Sequence, residues 1–335
     1  MDKKKIVIGI IGGGRIARIH AENIARNIDD VEIRYVADVN PDIPAKWALG
    51  AGVKNVVSDS EIILQDPEVQ AVLVCTPTNL HCETAIRVAR AGKDIFCEKP
   101  IDLTLEKIEE ALAEVKKAGV RMQVGFNRRF DHNYRRVYNA IQAGKIGKPV
   151  TIKLTVREYQ APPVSYLKDS GGIFLDMAIH DFDIVRYMAG SEVESVYAMG
   201  SVSVAPEVAE AGDIDTAVTV LRFKNGVVGI VEDCRKSGYG FDDRLEVFGT
   251  KGMATTGDDT YAHVEFACDD GFEREGLMHS FDERFSSGLR DIMIDFFNNI
   301  REGKPASVSG EDGLQSMRIG FAAKQSQKEN RIVEL

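Results

Sequence analysis

Residues 6–17, IVIGIIGGGRIA, decide the fold of the first half of the chain. The run of β-branched apolar residues predicts a buried strand, and the residues after the glycines have the apolar spacing of a helix. The turn between them has the pattern G-x-G-x-x-A, in which Gly12 permits a tight turn and Gly14 lets a pyrophosphate approach the backbone. Because the N–H groups at a helix start attract an anion, Arg15 and Ile16 join these glycines as predicted dinucleotide contacts.

The second predicted strand, residues 31–39 (VEIRYVADV), carries an acid near its end. A carboxylate at the position of Asp38 accepts hydrogen bonds from the adenosine ribose of NAD and repels the 2′-phosphate of NADP. Val39 follows, not an arginine, so the sequence favours NAD over NADP. The simpler alternative is that Asp38 is only a turn residue at a strand end.

Strands and helices continue to alternate up to residue 124, which predicts an α/β domain with a parallel, doubly wound sheet of the Rossmann type. Ligands of such sheets bind at the carboxyl ends of the strands. Polar residues follow the strands predicted at 69–76 and 94–97; they are Thr76, Asn79, His81, Glu98 and Lys99. We predict that residues 1–124 form a dinucleotide-binding domain. Lys99 lies at its cofactor cleft or, more simply, on the surface after a strand.

The periodicity changes after residue 124. Alternating segments joined by turns predict a large, mostly antiparallel sheet, with helices at the end of the chain. The strands are predicted at 150–159, 193–204, 217–223, 227–232 and 244–249, and residues 161–170 are predicted to form a loop. Residues 125–335 therefore form a second predicted α/β domain, whose sheet has one open face. Burial of that face on another subunit is the basis for expecting an oligomer.

A second informative stretch is Gly171–Asp183, GGIFLDMAIHDFD. Its apolar residues predict a buried helix, on which Asp176 and His180 share one face because they are four residues apart. One reading makes His180 a core histidine satisfied by Asp176. The other makes the pair part of a polar pocket, where a histidine beside a carboxylate moves protons.

Charge and composition exclude several classes of protein. A formal net charge of −10 makes nucleic acid and anionic membrane poor partners. No stretch is long enough to span a bilayer, and the short apolar run after the N-terminal lysines reads as a strand and not as a signal peptide. The five cysteines lack any metal-ligand or disulfide spacing, so we predict reduced thiols, a cytoplasmic protein and no metal site.

Four motifs occur together in this chain: the glycine turn, the segment from Thr76 to His81, Glu98-Lys99-Pro100, and Gly171-Gly172 followed by Asp176 and His180. In this order they resemble the glucose–fructose oxidoreductase / inositol 2-dehydrogenase family across essentially the whole chain. The segments GFNRRFD (Gly125–Asp131) and SGGIFLDMAIHDFDIVRYMAGSEVE (Ser170–Glu194) look most like its inositol 2-dehydrogenase branch. The resemblance implies a Rossmann domain, an open-sheeted α/β domain and a homotetramer.

The resemblance also implies roles for individual residues. It assigns Lys99, Asp176 and His180 to catalysis and to substrate binding, and adds Arg128 and Tyr239 to the substrate pocket. The residues that it implies touch the cofactor are Thr76, Asn79, His81 and Glu98. Asn127 is a further predicted substrate contact, but it stands where some inositol dehydrogenases have an apolar residue, which leaves the polyol open.

The hypothesis from the sequence is NAD-dependent oxidation of a secondary ring hydroxyl of a cyclic polyol, with myo-inositol going to 2-keto-myo-inositol (scyllo-inosose). His180 would act as the base, Asp176 would orient it or hold a substrate hydroxyl, and Lys99 would stabilise the developing alkoxide. Two alternatives stay open. One is a dehydrogenase for scyllo-inositol, glucose or a keto or deoxy sugar, and the other is a non-catalytic dinucleotide sensor.

Overall fold

A computed structural model describes residues 5–335 as two compact units. The first unit runs to Asn127 and also includes Ser287–Leu314, and the second includes Arg128–Ser286 and Gln315–Leu335. The predicted boundary after residue 124 lies close to Asn127. Nothing in the sequence pattern had indicated that Ser287–Leu314 belongs to the first unit.

Within the described residues, the first unit contains a six-stranded sheet in which all neighbouring strands are parallel. Its strands are β1 (Ile6–Ile11), β2 (Val31–Ala37), β3 (Asn55–Val57), β4 (Val69–Val74), β5 (Asp94–Cys97) and β6 (Met122–Val124). Their spatial order is β3-β2-β1-β4-β5-β6, the order of a dinucleotide-binding Rossmann sheet. The predicted doubly wound domain is confirmed, with the short strand β3 as an addition.

Helices follow the strands of this sheet. They are α1 (Arg15–Asn27), α2 (Asp42–Ala48), α3 (Glu61–Gln65), α4 (His81–Arg90) and α5 (Leu105–Ala118), with a 3₁₀ turn at Thr78–Leu80. Helix α1 buries Ala17, Ala21 and Ile24, which recur at helical spacing on one face. Helix α5 ends at Gly119, whose φ of 69° is a left-handed conformation that glycine adopts without strain.

The second unit is built on a seven-stranded sheet that the residues from 128 onward form. The strands that follow β6 in the chain are β7 (Pro149–Arg157), β8 (Val193–Ser201), β9 (Thr216–Phe223), β10 (Val228–Cys234), β11 (Asp242–Gly249), β12 (Gly252–Thr255), β13 (Glu265–Cys268), β14 (Gly271–Arg274) and β15 (Val333–Glu334). The order is β12-β11-β7-β10-β9-β8-β15, while β13 and β14 form a separate hairpin. Neighbours in the large sheet are antiparallel except β7 and β10, which agrees with the predicted mostly antiparallel sheet.

The remaining helices complete the chain. They are α6 (His132–Gln142), α7 (Val164–Leu167), α8 (Ile173–Asp176), α9 (Ile179–Ala189), α10 (Phe281–Arg284), α11 (Ser286–Glu302) and α12 (Gly310–Glu329), with 3₁₀ turns at Asn127–Phe130 and Pro206–Ala211. Helix α11 belongs to the first unit, where Phe296 packs edge-on against Phe96 with ring centroids 5.6 Å apart. The expectation that residues 161–170 are only a loop was wrong, because α7 forms inside it.

The expectation of one continuous helix through Gly171–Asp183 was also wrong. Helix α8 ends at Asp176 and α9 begins at Ile179, with Met177 and Ala178 between them. Asp176 and His180 therefore lie on either side of a break. The stretch is nevertheless buried as predicted, since its apolar residues belong to the core of the second unit.

The two faces of the large sheet differ. Its inner face supplies Val156, Val196, Leu221 and Val231 to the core together with Phe182 of α9. The outer face exposes apolar side chains on β8, β9, β10 and β11; they are Met199, Val218, Val220, Val228 and Phe248. An apolar surface of this kind is typical of a face that another protein covers.

Asp215 organises the connection into β9. Its carboxylate accepts hydrogen bonds from the backbone N–H groups of Ser203, Val204 and Ala205 at 2.7–2.9 Å, and from the Thr216 hydroxyl. Burial acts to raise the pKa of Asp215, but these hydrogen bonds outweigh it and the pKa lies below its usual value.

Replacing Asp215 with asparagine is expected to lower the free energy of unfolding by about 3 kcal/mol at pH 7, because an amide NH₂ would face buried N–H donors. A carboxylate with a lowered folded pKa stabilises above its unfolded pKa, and that stability is lost as the pH falls below about 4. Urea unfolding at pH 7 and pH 3.5 should therefore show a smaller difference between wild type and variant in acid. Asp269→Asn, an exposed acid, is the control, and an equal effect of both substitutions would contradict the assignment.

Two further observations concern the chain as a whole. No helix in residues 5–335 combines the length and the apolar character needed to cross a bilayer. The cysteines are unpaired thiols, of which Cys75, Cys82, Cys97 and Cys234 are buried and Cys268 is exposed.

Candidate active site

The glycine turn of the first unit brings two backbone segments into close contact. Gly12 has a φ of 94°, and a Cβ atom there would lie 2.4 Å from the carbonyl oxygen of Cys75. Gly14 precedes α1, and no side chain within residues 5–335 caps that helix start. A Cβ built at Gly14 meets nothing within 4 Å among those residues. The start of α1 therefore has no side-chain cap, and there is open space beside Gly14, as an anion-binding turn requires.

Asp38 stands directly after β2, beside this turn. Its Oδ2 accepts a hydrogen bond from the Gly13 N–H at 2.7 Å, and its Oδ1 accepts one from the Asn40 N–H at 2.8 Å. The carboxylate thus ties the glycine turn to the end of β2 and stays half-buried. Val39 next to it is 96% exposed, so this position has room for a larger side chain.

His81 joins the segments that follow β4 and β5. Its Nδ1 lies 2.7 Å from the Pro100 carbonyl oxygen and its Nε2 lies 2.7 Å from the Thr76 carbonyl oxygen. The ring is buried, and burial lowers its pKa although both carbonyl contacts act to raise it. Both ring nitrogens already contact backbone, so His81 supports the residues around Lys99, and its predicted contact with the cofactor stays a prediction.

Glu98 and Lys99 follow β5. Glu98 Oε1 lies 2.6 Å from Nε2 of the fully buried His20, and Glu98 Oε2 accepts from the Lys99 N–H at 3.3 Å. A Cβ atom on Gly125 would come within 3.0 Å of this carboxylate. Glu98 is therefore held from α1 and from the end of β6, and the Lys99 side chain is half-buried next to it.

The first unit fits a dinucleotide. The open helix start after Gly14 fits the pyrophosphate, and Asp38 stands where a ribose is bound in such folds. The hydroxyl oxygen of Thr76 is buried and has no hydrogen-bond partner among residues 5–335, so it offers a further polar contact at the carboxyl end of β4. Asn79, in the exposed turn after Thr76, is the remaining predicted contact on this edge.

In the second unit, Asp176 is the last residue of α8 and is almost fully buried. Its Oδ1 accepts a hydrogen bond from the Tyr166 hydroxyl at 2.8 Å, and its Oδ2 accepts one from Arg235 Nη1 at 3.3 Å. His180, the second residue of α9, is half-buried on the other side of the helix break. The unit therefore places a held carboxylate and a half-buried imidazole four residues apart.

Arg128 and Arg129 support α9. Arg128 is buried, donates to Asp181 and lies over the Phe285 ring with its guanidinium carbon 4.9 Å from the centroid. Arg129 donates from Nε to Asp183 Oδ2 at 2.7 Å. Because Asp181 and Asp183 follow His180 in the first turn and a half of α9, these ion pairs fix the start of that helix. This geometry gives Arg128 a supporting role, and its predicted contact with substrate stays a prediction.

Two carboxyl groups of the second unit, those of Asp233 and Asp243, are fully buried. Burial, and next the carboxylate of Asp181, raises the pKa of Asp233 well above its usual value. Burial likewise raises the pKa of Asp243 to about 6, although Arg284 and Arg128 act to lower it. Burial thus disfavours the charged form of both carboxyl groups.

Two other predicted substrate contacts are in different surroundings. The Tyr239 hydroxyl donates to Asp242 Oδ2 at 2.5 Å and accepts from Arg157 Nη1 at 2.9 Å, while about half of the side chain is exposed. Asn127 is buried in the 3₁₀ turn at the end of the first unit. The substrate roles of both residues stay predictions.

Within residues 5–335, Asp131, His132 and Asp259 are the group of side chains close enough to share a metal ion. Arg284 already occupies this place, because its Nη1 lies 2.7 Å from Asp131 Oδ2 and 3.0 Å from Asp259 Oδ2. The group is therefore an ion-pair cluster.

The sequence analysis did not find Tyr166 and Arg235, which contact Asp176, or Asp213, which contacts Arg235. Tyr166 stood in a segment expected to be loop, and Arg235 and Asp213 are far from Asp176 in the chain. The sequence did carry a weak signal for the ion pairs of Arg128 and Arg129. A buried apolar helix that contains Asp181 and Asp183 requires two cations nearby.

The two units define the class of the protein. A Rossmann sheet with a glycine turn is the fold of a domain that binds a dinucleotide, and the second unit has a histidine and a buried carboxylate four residues apart, which together indicate an NAD-binding oxidoreductase. Comparison with known families agrees. Residues 6–126 match the model described as "Oxidoreductase family, NAD-binding Rossmann fold", and residues 139–335 match "Oxidoreductase family, C-terminal alpha/beta domain".

The chain belongs to this family, the GFO/IDH/MocA oxidoreductases. It is 44% identical over 98% of both chains to the myo-inositol 2-dehydrogenase of Thermotoga maritima, and 37% identical over 98% of both chains to the inositol 2-dehydrogenase of Rhizobium meliloti. Among solved structures, the scyllo-inositol dehydrogenase of Lactobacillus casei with bound NAD(H) and scyllo-inositol has a TM-score of 0.92, with 31% identity and 99% coverage of each chain.

Proposed function

We propose that this protein is an inositol 2-dehydrogenase that uses NAD to oxidise a secondary ring hydroxyl, with myo-inositol oxidised to 2-keto-myo-inositol. The observation that carries the proposal is the helix break at Met177–Ala178. On either side of it lie Asp176, buried and held by two donors, and His180, half-buried. The names of the Thermotoga and Rhizobium relatives support an inositol as the substrate.

The proposed chemistry uses three side chains. NAD⁺, when bound, supplies the acceptor for the hydride of the carbinol carbon. His180 takes the hydroxyl proton as that hydride leaves, because a neutral alcohol is a poor hydride donor. Lys99 donates a hydrogen bond to the same oxygen and stabilises its developing negative charge. Asp176 holds a neighbouring hydroxyl or orients the imidazole.

We propose NAD, and not NADP, as the physiological cofactor. Asp38 has both carboxylate oxygens bonded to backbone N–H groups, which holds a negative charge beside the glycine turn. That charge favours a ribose with free hydroxyls and repels a 2′-phosphate. Arg15, in the same turn, is a cation that would instead favour the 2′-phosphate of NADP.

Replacing Asp38 with serine and Val39 with arginine is expected to raise the ratio of kcat/KM for NADP to that for NAD about 100-fold. The change removes a repulsive charge and adds a phosphate partner, which together contribute about 3 kcal/mol. Initial rates with both cofactors measure the ratio. The control is Asp42→Ser, which removes an exposed acid at the start of α2. An unchanged ratio in the double variant would remove Asp38 from cofactor discrimination.

The substrate is tested by assaying the protein with NAD and NADP against myo-inositol, scyllo-inositol, glucose and a set of deoxy and keto sugars. Formation or consumption of NADH is followed by absorbance. We expect the highest kcat/KM with myo-inositol. Preference for scyllo-inositol or glucose would reassign the substrate within the same chemistry, whereas tight NADH binding without turnover would identify a dinucleotide sensor.

We also propose a cytoplasmic homotetramer. The exposed apolar side chains on the outer face of the large sheet, among them Met199 and Phe248, support contact with a second copy. The unpaired cysteines are consistent with a reducing compartment. Light scattering after gel filtration measures the assembly, and a monomeric mass at micromolar concentration would contradict this proposal.

A further inference from the structure

Helix α8 is four residues long and is held at both ends by one group of charged side chains. At its start, Asp213 Oδ1 accepts a hydrogen bond from the Ile173 N–H at 3.1 Å. At its end, Asp176 Oδ2 accepts from Arg235 Nη1 at 3.3 Å. Arg235 Nη2 also donates to Asp213 Oδ2 at 3.1 Å. The contacts form a closed ring from Arg235 through Asp176, α8 and Asp213 back to Arg235.

Arg235 is the rigid member of this ring. Its side chain is fully buried, and its backbone N–H donates to the Asp215 carbonyl oxygen at 2.8 Å, directly after β10 ends. A buried guanidinium costs free energy unless carboxylates neutralise it, and here two do so from different segments of the chain. Because a planar guanidinium donates from a fixed fork, it sets the separation of the two carboxylates that it joins.

The ring also gives a physical reason for the second glycine of the Gly171-Gly172 pair. Gly172 has a φ of 89°, and a Cβ atom there would lie 2.9 Å from Asp213 Oδ1. Only a residue without a side chain lets Asp213 reach the start of α8. The glycine, Asp213 and Arg235 therefore serve one purpose, which is to hold the short helix that ends in Asp176.

We propose that Arg235 is a positioning residue: its bridge between Asp213 and Asp176 fixes the carboxylate of Asp176 at the place from which that carboxylate acts on the substrate. The Tyr166 hydroxyl fixes the other oxygen of Asp176. The link from this bridge to catalysis rests on the proposed function, whereas the bridge itself does not.

The test compares Arg235→Lys and Asp213→Asn with wild type. Lysine keeps the charge but lacks the fork, so it cannot hold both carboxylates, and a displaced catalytic group costs about 100-fold in rate. We expect Arg235→Lys to lower kcat for myo-inositol about 100-fold. The KM for NAD and the affinity for NADH, measured by fluorescence titration, should not change. Asp213→Asn keeps an acceptor for Ile173 and should show a smaller decrease in kcat.

The matched control is Arg186→Lys. Arg186 lies on α9, but its guanidinium makes a bidentate ion pair with Glu192. This variant alters an ion pair of α9 that lies outside the ring, and it should keep the wild-type kcat. If Arg235→Lys turns over inositol as wild type does, or if its kcat falls only in parallel with NADH affinity and stability, the proposal is overturned.

A crystal structure of Arg235→Lys separates this inference from the proposed function. If wild type oxidises none of the polyols, the proposed function has failed, but the bridge can still be examined. We then expect the Asp176 carboxylate to leave its contact with the Tyr166 hydroxyl. An Asp176 side chain in its original place would overturn the positioning role, whatever the substrate is.

Discussion

Replacing Lys99 with methionine is expected to lower kcat for inositol oxidation about 1,000-fold, because removing one charged donor to a developing alkoxide has effects of this size. Methionine is similar in length and apolar, so it fills the space without offering a hydrogen bond. The side chain follows β5, and Glu98 beside it is held by His20, so the backbone around residue 99 should stay in place.

The experiment measures kcat and KM at saturating NAD together with the dissociation constant for NADH. The affinity for NADH should stay close to that of wild type, because Lys99 is proposed to act on the substrate oxygen. Lys116→Met, an exposed lysine of α5, is the control and should behave as wild type. A kcat for Lys99→Met close to that of wild type would remove Lys99 from the proposed reaction.

Replacing His180 with glutamine is the second substitution with a large expected effect. General base catalysis contributes about 100-fold to 10,000-fold, and we expect a loss of about 1,000-fold in kcat at pH 7. Glutamine can still hydrogen-bond the substrate hydroxyl but cannot take its proton. The remaining rate should therefore increase steadily with pH, since hydroxide then removes the proton that His180 no longer accepts.

The control for this substitution is His263→Gln, which changes an exposed histidine in the loop before β13. NADH affinity should be unchanged in both variants, and the pH dependence of kcat between pH 6 and 10 should differ only for His180→Gln. A His180 variant that keeps the wild-type pH profile would show that His180 is the satisfied core histidine of the simpler reading.

Much of the first unit could be predicted from residues close together in the chain. The glycine turn, the acid after β2 and the alternation of strands and helices are local patterns, and they correctly predicted a Rossmann sheet. Strand β3 was not predicted, because it has only three residues. The sequence did not predict that Ser287–Leu314 belongs to this unit, because that depends on packing such as that of Phe296 against Phe96.

The second unit shows where periodicity misleads. Residues 171–183 have the apolar spacing of one helix, but helix α8 ends at Asp176 and a second helix, α9, begins at Ile179. Contacts from outside hold α8 as a separate turn, with Asp213 at its start and Arg235 at its end. Tertiary hydrogen bonds to a buried carboxylate outweigh the small preference of a few residues to continue a helix.

The sequence by itself determined the kind of chemistry, because nucleotide-binding turns and acid–base residues have recognisable types and spacings within a few residues of one another. Only the tertiary structure decided how the carboxylate of Asp176 is held. Its partner Arg235 lies 59 residues away in the chain. A buried charge must be paired with an opposite charge, but the sequence alone does not say which of many distant residues folding will bring to it.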